Sequence, residues 1–180
     1  MPMPDSTVVP PCPMPPPLRL DNLGAALQTC RAAGSSREVP TAVLCAVCRE
    51  LVSHHERDLA LVAFCCAGSA GPVAVAASAG LTSALTGLSL GTDEQPLTDL
   101  VGAALLQGRP VVCRRTRNDP AHARWSQRAW RLGFTTACAA PFEAGPGRTG
   151  VLAVFSPDDE AFGPDELDLL VDIAAALART

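Results

Sequence analysis

The sequence contains no lysine and no tyrosine, so all fourteen basic residues are arginines. Aromatic side chains are few: five phenylalanines and two tryptophans must supply every ring in the core. No segment reaches about 18 consecutive strongly apolar residues, which excludes a membrane-spanning helix. The first residues, MPMPDSTVVPPCPMPPP, have no positively charged start followed by an apolar run, so they do not read as a secretory signal. No basic stripe with interleaved aromatics is present and the net charge is -4, which argues against a nucleic-acid partner. Arg114, Arg115 and Arg117 form the densest basic spot and read as a solvated strand end. The chain has no Ser/His/Asp order, no carboxylate pair at a polar cleft and no phosphate-cradling glycine motif. These absences predict a cytoplasmic protein with neither a membrane nor a nucleic acid to bind.

What is present fits one domain. Of the 180 residues 48% are hydrophobic, ample for a core of about 150 residues plus a tail. Residues 1–17 carry eight prolines and read as an extended or disordered arm, leaving 18–180 as a single domain. The eight cysteines, without a signal, read as reduced thiols rather than a disulfide framework.

The stretch Thr136 to Ala178 organises the rest. Two apolar runs, Ala137–Phe142 and Gly150–Ser156, flank a Gly/Pro/Arg turn and read as a β-hairpin. Pro164 suits the first position of a helix, with Asp165 and Glu166 at its positive end. Leu167, Leu170, Val171, Ala174 and Leu177 then repeat at helical spacing.

Upstream, helices are expected at Leu18–Ala33 and from about Pro40 to Ser53. Asp58–Ala67 and Pro72–Ala79 read as strands joined by a turn at 67–71, and Gly80–Gln95 as a loop. Leu97–Gln107 reads as a helix stopped by Gly108, Val111–Arg115 as a short strand, and a further helix begins at Asp119-Pro120 and ends at Gly133. Adjacent hairpins with helices laid over them give an α+β architecture, an α/β sandwich on a mainly antiparallel sheet.

Single residues with possible chemistry each have a plain packing explanation. Cys45 and Cys48 lie at i and i+3 within an apolar helix stripe, and no second pair completes a zinc site. Cys65 and Cys66 are adjacent on a strand and point to opposite faces. Cys113, beside Arg114 and Arg115, is the best-placed sensing thiol, and Cys138 lies in the hairpin strand. His54-His55 follow a helix, and His122 opens the helix after Asp119. Trp125 and Trp130 are five apart on that helix, so one of them faces the core. Asp158, Asp159 and Glu160 read as a solvated acidic tip.

Three segments together resemble the GAF domain family of small-molecule sensors, over roughly Pro40 to Ala178. Leu97–Val112, LTDLVGAALLQGRPVV, looks like the family's helix followed by Gly-Arg-Pro-Val-Val entering a strand. Asp119–Phe142, DPAHARWSQRAWRLGFTTACAAPF, is similar to its Asp-Pro, a Trp within a helix, Leu-Gly and a strand ending in Pro and a large apolar residue. Gly150–Leu170, GVLAVFSPDDEAFGPDELDLL, is similar to its last strand and the Phe-x-x-x-Glu opening of its terminal helix.

The resemblance implies a five- or six-stranded antiparallel sheet with helices on both faces. The terminal helices would cover one face and often support dimers. The 80–95 loop and the helices at 97–107 and 120–132 would enclose a ligand pocket on the other. The ligand-binding residues it implies are Cys113, Arg115, Asp119, His122, Trp125 and Cys138. No particular cofactor follows. A bilin is attached in the family through cysteine, often in a Cys-His pair, and no such pair exists here. Cyclic-nucleotide binders carry an Asn-Lys-Phe-Asp-Glu set, whose end resembles Phe162, Asp165 and Glu166, but Ser156-Pro157 stand near its Asn-Lys. Haem would need a histidine such as His122. The implied protein is a non-catalytic sensor that binds a small molecule and signals through its terminal helices to a partner protein or a second copy. The alternatives are an interaction module with a side-chain-filled pocket, a thiol redox sensor, or an enzyme like the family's methionine-sulfoxide reductases.

Overall fold

Strand β5, Arg148–Ser156, is the centre of the sheet because it is apolar on both faces: Gly150 to Ser156 are all buried. A strand buried on both sides reads as a continuous apolar run rather than an alternating one. In the computed structural model, which describes residues 19–33, 40–53, 58–66, 73–88, 99–118 and 123–179, four more strands flank it. These are β1 (Leu59–Cys66), β2 (Ala74–Gly80), β3 (Val111–Arg114) and β4 (Thr136–Glu143). The order is β2-β1-β5-β4-β3 and every neighbouring pair is antiparallel. The expected five- or six-stranded antiparallel sheet thus has five strands. The β4–β5 hairpin closes where expected, with the Arg148 N–H donating to the Gly145 carbonyl at 3.1 Å and Gly145 and Gly147 both at positive φ. The proline-rich arm, the 67–71 turn, His54-His55 and the Asp119-Pro120 helix start lie outside the described residues.

One face carries α1 (Arg19–Ala32), α2 (Thr41–Val52) and α6 (Pro164–Ala178), with α1 packed against both of the others. Leu44, Val47, Cys48, Leu51, Leu170, Ile173 and Leu177 are buried here over Val62, Phe64, Phe142 and Leu152 of the sheet. Pro164 is the first residue of α6, as its fixed φ favours. Gly163 has no side chain to cap it, so the cap is one-sided: Glu166 Oε2 reaches back to accept from the Gly163 N–H at 3.2 Å and from the Phe162 N–H.

The other face carries α3 (Leu85–Leu88), α4 (Leu100–Gln107) and α5 (Ala123–Arg131). The 80–95 loop expected from the sequence is helical in its described first part. A 3-10 turn at Thr82–Ala84 runs into α3, whose four residues are too few to hold a helix by themselves. Burial of Ala84 and Leu88 holds them instead, an effect that periodicity does not report. Helix α4 begins three residues later than expected because Asp99 is its cap, with the Asp99 carboxylate accepting from the Gly102 N–H at 2.6 Å. Gly108 ends it in the left-handed conformation, φ 60°.

Candidate functional site

The pleat decides which residues face α3–α5. Leu59, Phe155, Ala137 and Cys113 stand abreast across β1, β5, β4 and β3, and Leu61, Ala153, Ala139 and Val111 form the next row. Both rows belong to the α3–α5 side of the core. The floor under this layer is therefore alanine at its middle. Alanine lets a helix approach closely, and α4 answers with buried Gly102, Ala103 and Ala104. Bulk is gathered at one end. The Phe155 ring lies 5.6 Å from Phe134 and 5.9 Å from Trp125, both tilted contacts.

Of the six residues implied as ligand-binding, the structure brings two into this layer. Trp125 is buried from α5, and Cys113 is buried from β3. Cys113 faces inward at 1% exposure, so the accessibility that a sensing thiol needs is missing there. Cys138 lies elsewhere. Cys113 pairs with Ala137, one residue before Cys138, so the pleat sends Cys138 to the opposite face, among the residues beneath α1, α2 and α6. It cannot line a hollow shared with Cys113. Arg115 is exposed just beyond β3 and has a left-handed backbone, φ 58°. That turn delivers Thr116 to the core, where its N–H donates to the Thr135 carbonyl at 2.8 Å and its hydroxyl to the Phe134 carbonyl at 2.6 Å. Asp119 and His122 lie outside the described residues.

The thiols resolve the same way. Burial pushes Cys138 up to about 12, with the Arg114 charge pulling weakly the other way. Burial also pushes Cys48 to about 12 and Cys30 to about 11. Such groups stay protonated at neutral pH and are poor nucleophiles. Cys48 sits in the apolar stripe of α2, in line with the packing reading of the Cys45/Cys48 pair. Among the described residues no group of three or more His, Cys, Asp or Glu could hold a metal ion, and no helix is long and apolar enough to cross a membrane.

Three features escaped sequence reasoning. Asp58 and Ser156, polar residues at the ends of apolar strands, are buried and bonded to each other. Arg114 donates to the Ala161 carbonyl at 3.2 Å and to the Phe162 carbonyl, fixing the β5–α6 connection to the edge of the sheet. Trp130, the outward tryptophan of α5, carries the Arg117 guanidinium over its ring at 5.2 Å. A polar residue beginning or ending an otherwise apolar strand was the available signal for the first of these; the other two depend on contacts between elements.

A five-stranded antiparallel sheet in this order, with a helix bundle on one face and a layer of short helices on the other, is an α+β sandwich domain. The sequence profile of the GAF domain family matches residues 28–180, and the chain belongs to that family. Solved structures agree on the fold. The GAF domain of a phosphoenolpyruvate-protein phosphotransferase from Coxiella burnetii aligns with TM-score 0.62 at 20% identity, covering 89% of this chain and 90% of that one. The free methionine-R-sulfoxide reductase from Neisseria meningitidis, in complex with its substrate, gives 0.64 at 17% identity, covering 89% and 86%. The phycoerythrobilin-bound GAF domain of a cyanobacterial phytochrome gives 0.56 at 13% identity, covering 91% and 96%. At these identities the likeness concerns the fold alone. No curated protein matches the sequence.

Proposed function

We propose that this chain is a non-catalytic, cytoplasmic sensor module that takes a small molecule between the sheet and the α3–α5 layer. Binding is relayed through α1 and α6 to a partner protein or a second copy. The observation that carries the reading is the inequality of the two helix layers, with an alanine middle beneath the shorter one. Beneath α1, α2 and α6 the sheet presents Phe64, Phe142, Leu152 and Val154 to helices of 14, 12 and 15 residues. Beneath α3–α5 the sheet presents Leu59, Leu61, Val151 and Phe155 around a middle of Ala137, Ala139 and Ala153, to helices of only 4, 8 and 9 residues. Burial stabilises roughly in proportion to apolar area, so an alanine contact holds a helix more weakly than a leucine or phenylalanine contact. The α3–α5 layer is the one that yields to a ligand, anchored at its aromatic end by Trp125, Phe134 and Phe155. Family members whose ligands are known include the bilin-bound phytochrome domain, which supports a small-molecule role without naming the molecule.

The test is a thermal-shift panel of nucleotides, amino-acid derivatives and tetrapyrroles on the full chain. A compound that raises the midpoint, with slowed amide exchange in α4 and α5, supports the sensor. A second reading, an interaction module without a ligand, is favoured by the Trp125–Phe155–Phe134 stack, which fills its end of the layer with side chains. No shift with any compound, together with partner binding, favours that reading. A thiol enzyme gains no support from Cys113 and Cys138, which are buried on opposite faces of the sheet.

A further inference from the structure

The segment 109–131 holds seven of the fourteen arginines and one acid, Asp119, for a net charge of +6. The remainder of this -4 chain is left at -10. Arg115, Arg117, Arg128 and Arg131 are all exposed, the first two just past β3 and the others on α5. Helix α5 buries Trp125 and Ala129 and turns Gln127, Arg128, Trp130 and Arg131 outward. Trp130 is 44% exposed, so the core does not account for it. The Arg117 guanidinium lies over its ring, 5.2 Å from the centroid. An exposed tryptophan with Arg117 over its ring and exposed arginines on the same helix has the composition of an interface hot spot, where Trp and Arg are enriched.

The charge distribution selects the occupant. Arginine forks pair with carboxylates in bidentate geometry, and a neighbouring indole takes an apolar side chain. A long polyphosphate would have to run beyond the patch onto the rest of the chain, which is net acidic. Arg114, next to inward-facing Cys113, points to the other face of the sheet, where it bonds the carbonyls of Ala161 and Phe162, so the exposed Asp158-Asp159-Glu160 tip lies on the α6 side and leaves the outer face of α5 without an acidic neighbour among these residues. A short acidic segment stays within the patch. We propose that the outer face of α5, with Arg117, docks an acidic amphipathic segment of another protein. Its carboxylates meet Arg128 and Arg131, and an apolar side chain lies on Trp130. This contact uses the outer face of α5, opposite the buried side that faces the sheet, and does not involve α1 or α6.

Fluorescence anisotropy of a labelled helical peptide of Glu, Ala and Leu, titrated with the full chain, tests this. The expected result is saturable binding that weakens as salt rises and that shifts the Trp130 emission. Arg128→Glu/Arg131→Glu should weaken it about tenfold or more, and Trp130→Ala several-fold, with unchanged circular dichroism because all three side chains are exposed. Arg31→Glu on α1, also exposed, should leave binding unchanged. The proposal is overturned if the peptide does not bind at low salt, if the α5 variants bind like the parent, if replacing the peptide's leucines by serine changes nothing, or if oligothymidylate binds as tightly as the peptide.

Discussion

The Ser156 hydroxyl donates to the Asp58 carboxylate at 2.9 Å, joining the residue before β1 to the last residue of β5. Both side chains are buried, and they stand 98 positions apart. The same Ser156 oxygen accepts from the Asp158 N–H at 3.1 Å, so one hydroxyl closes the sheet and starts the turn toward α6. Ser156→Ala removes one donor from a buried carboxylate and one acceptor from a turn. We expect a loss of about 1–3 kcal/mol, read as a lower urea midpoint with an unchanged slope. A variant as stable as the parent would show that the pair contributes nothing.

Gly150 is required by its neighbours. A Cβ there would lie 2.3 Å from the Phe142 ring, and Phe142 and Phe64 both stand opposite Gly150 on the flanking strands. Those rings meet edge to face across it at 6.0 Å, covering the backbone that the missing side chain leaves open. Gly150→Ala should destabilise by about 1–3 kcal/mol. In a Phe142→Leu background the same change should cost less, with a coupling of about 0.5–3 kcal/mol in the double-mutant cycle. Additive losses would place the strain elsewhere.

The absence of lysine and tyrosine leaves the interval between pH 9 and pH 12 to cysteine, since arginine titrates above it. Burial raises Cys48 and Cys138 from 9.0 to about 12 and Cys30 to about 11. A group with a raised folded pKa contributes stability that is complete below its unfolded value. That contribution is lost as pH climbs toward the folded value, because the unfolded chain releases its protons first. Denaturant midpoints should therefore hold up to about pH 9 and fall between 9 and 12. Cys138→Ala should fall less steeply than the parent over that range. A midpoint that stays flat to pH 11 would contradict the burial of these thiols.

Asp99 sets where α4 starts, and α4 covers the alanine floor. Asp99→Ala should cost about 1 kcal/mol and speed amide exchange in the first turn of α4, while α6 exchanges as before. Uniform faster exchange would mean that the cap stabilises the whole domain rather than the movable layer.

Much of the fold was legible. The β4–β5 hairpin, Pro164 opening α6, Gly108 ending α4 and the α+β class all follow from local chemistry: turn residues, fixed φ, and apolar spacing. The site was less legible because its membership depends on pairing register. Cys113 and Cys138 look equivalent along the chain, yet the offset of one residue between β3 and β4 sends them to opposite sides. Helix α3 was hidden for a related reason, since burial and not propensity holds its four residues. The arginines at 114, 115 and 117 read as one solvated strand end. In the folded chain Arg114 clamps the β5–α6 connection and Arg117 stacks on Trp130. Contacts between elements separate them, and residue spacing does not carry that information.

The most direct test of the sensor reading is amide hydrogen exchange of the full chain with and without the small-molecule filtrate of a cell extract. The account predicts slowed exchange concentrated in α4, α5 and the strands beneath them, with a smaller change passed to α1 and α6. Unchanged exchange throughout, or protection confined to α1 and α6, would contradict it.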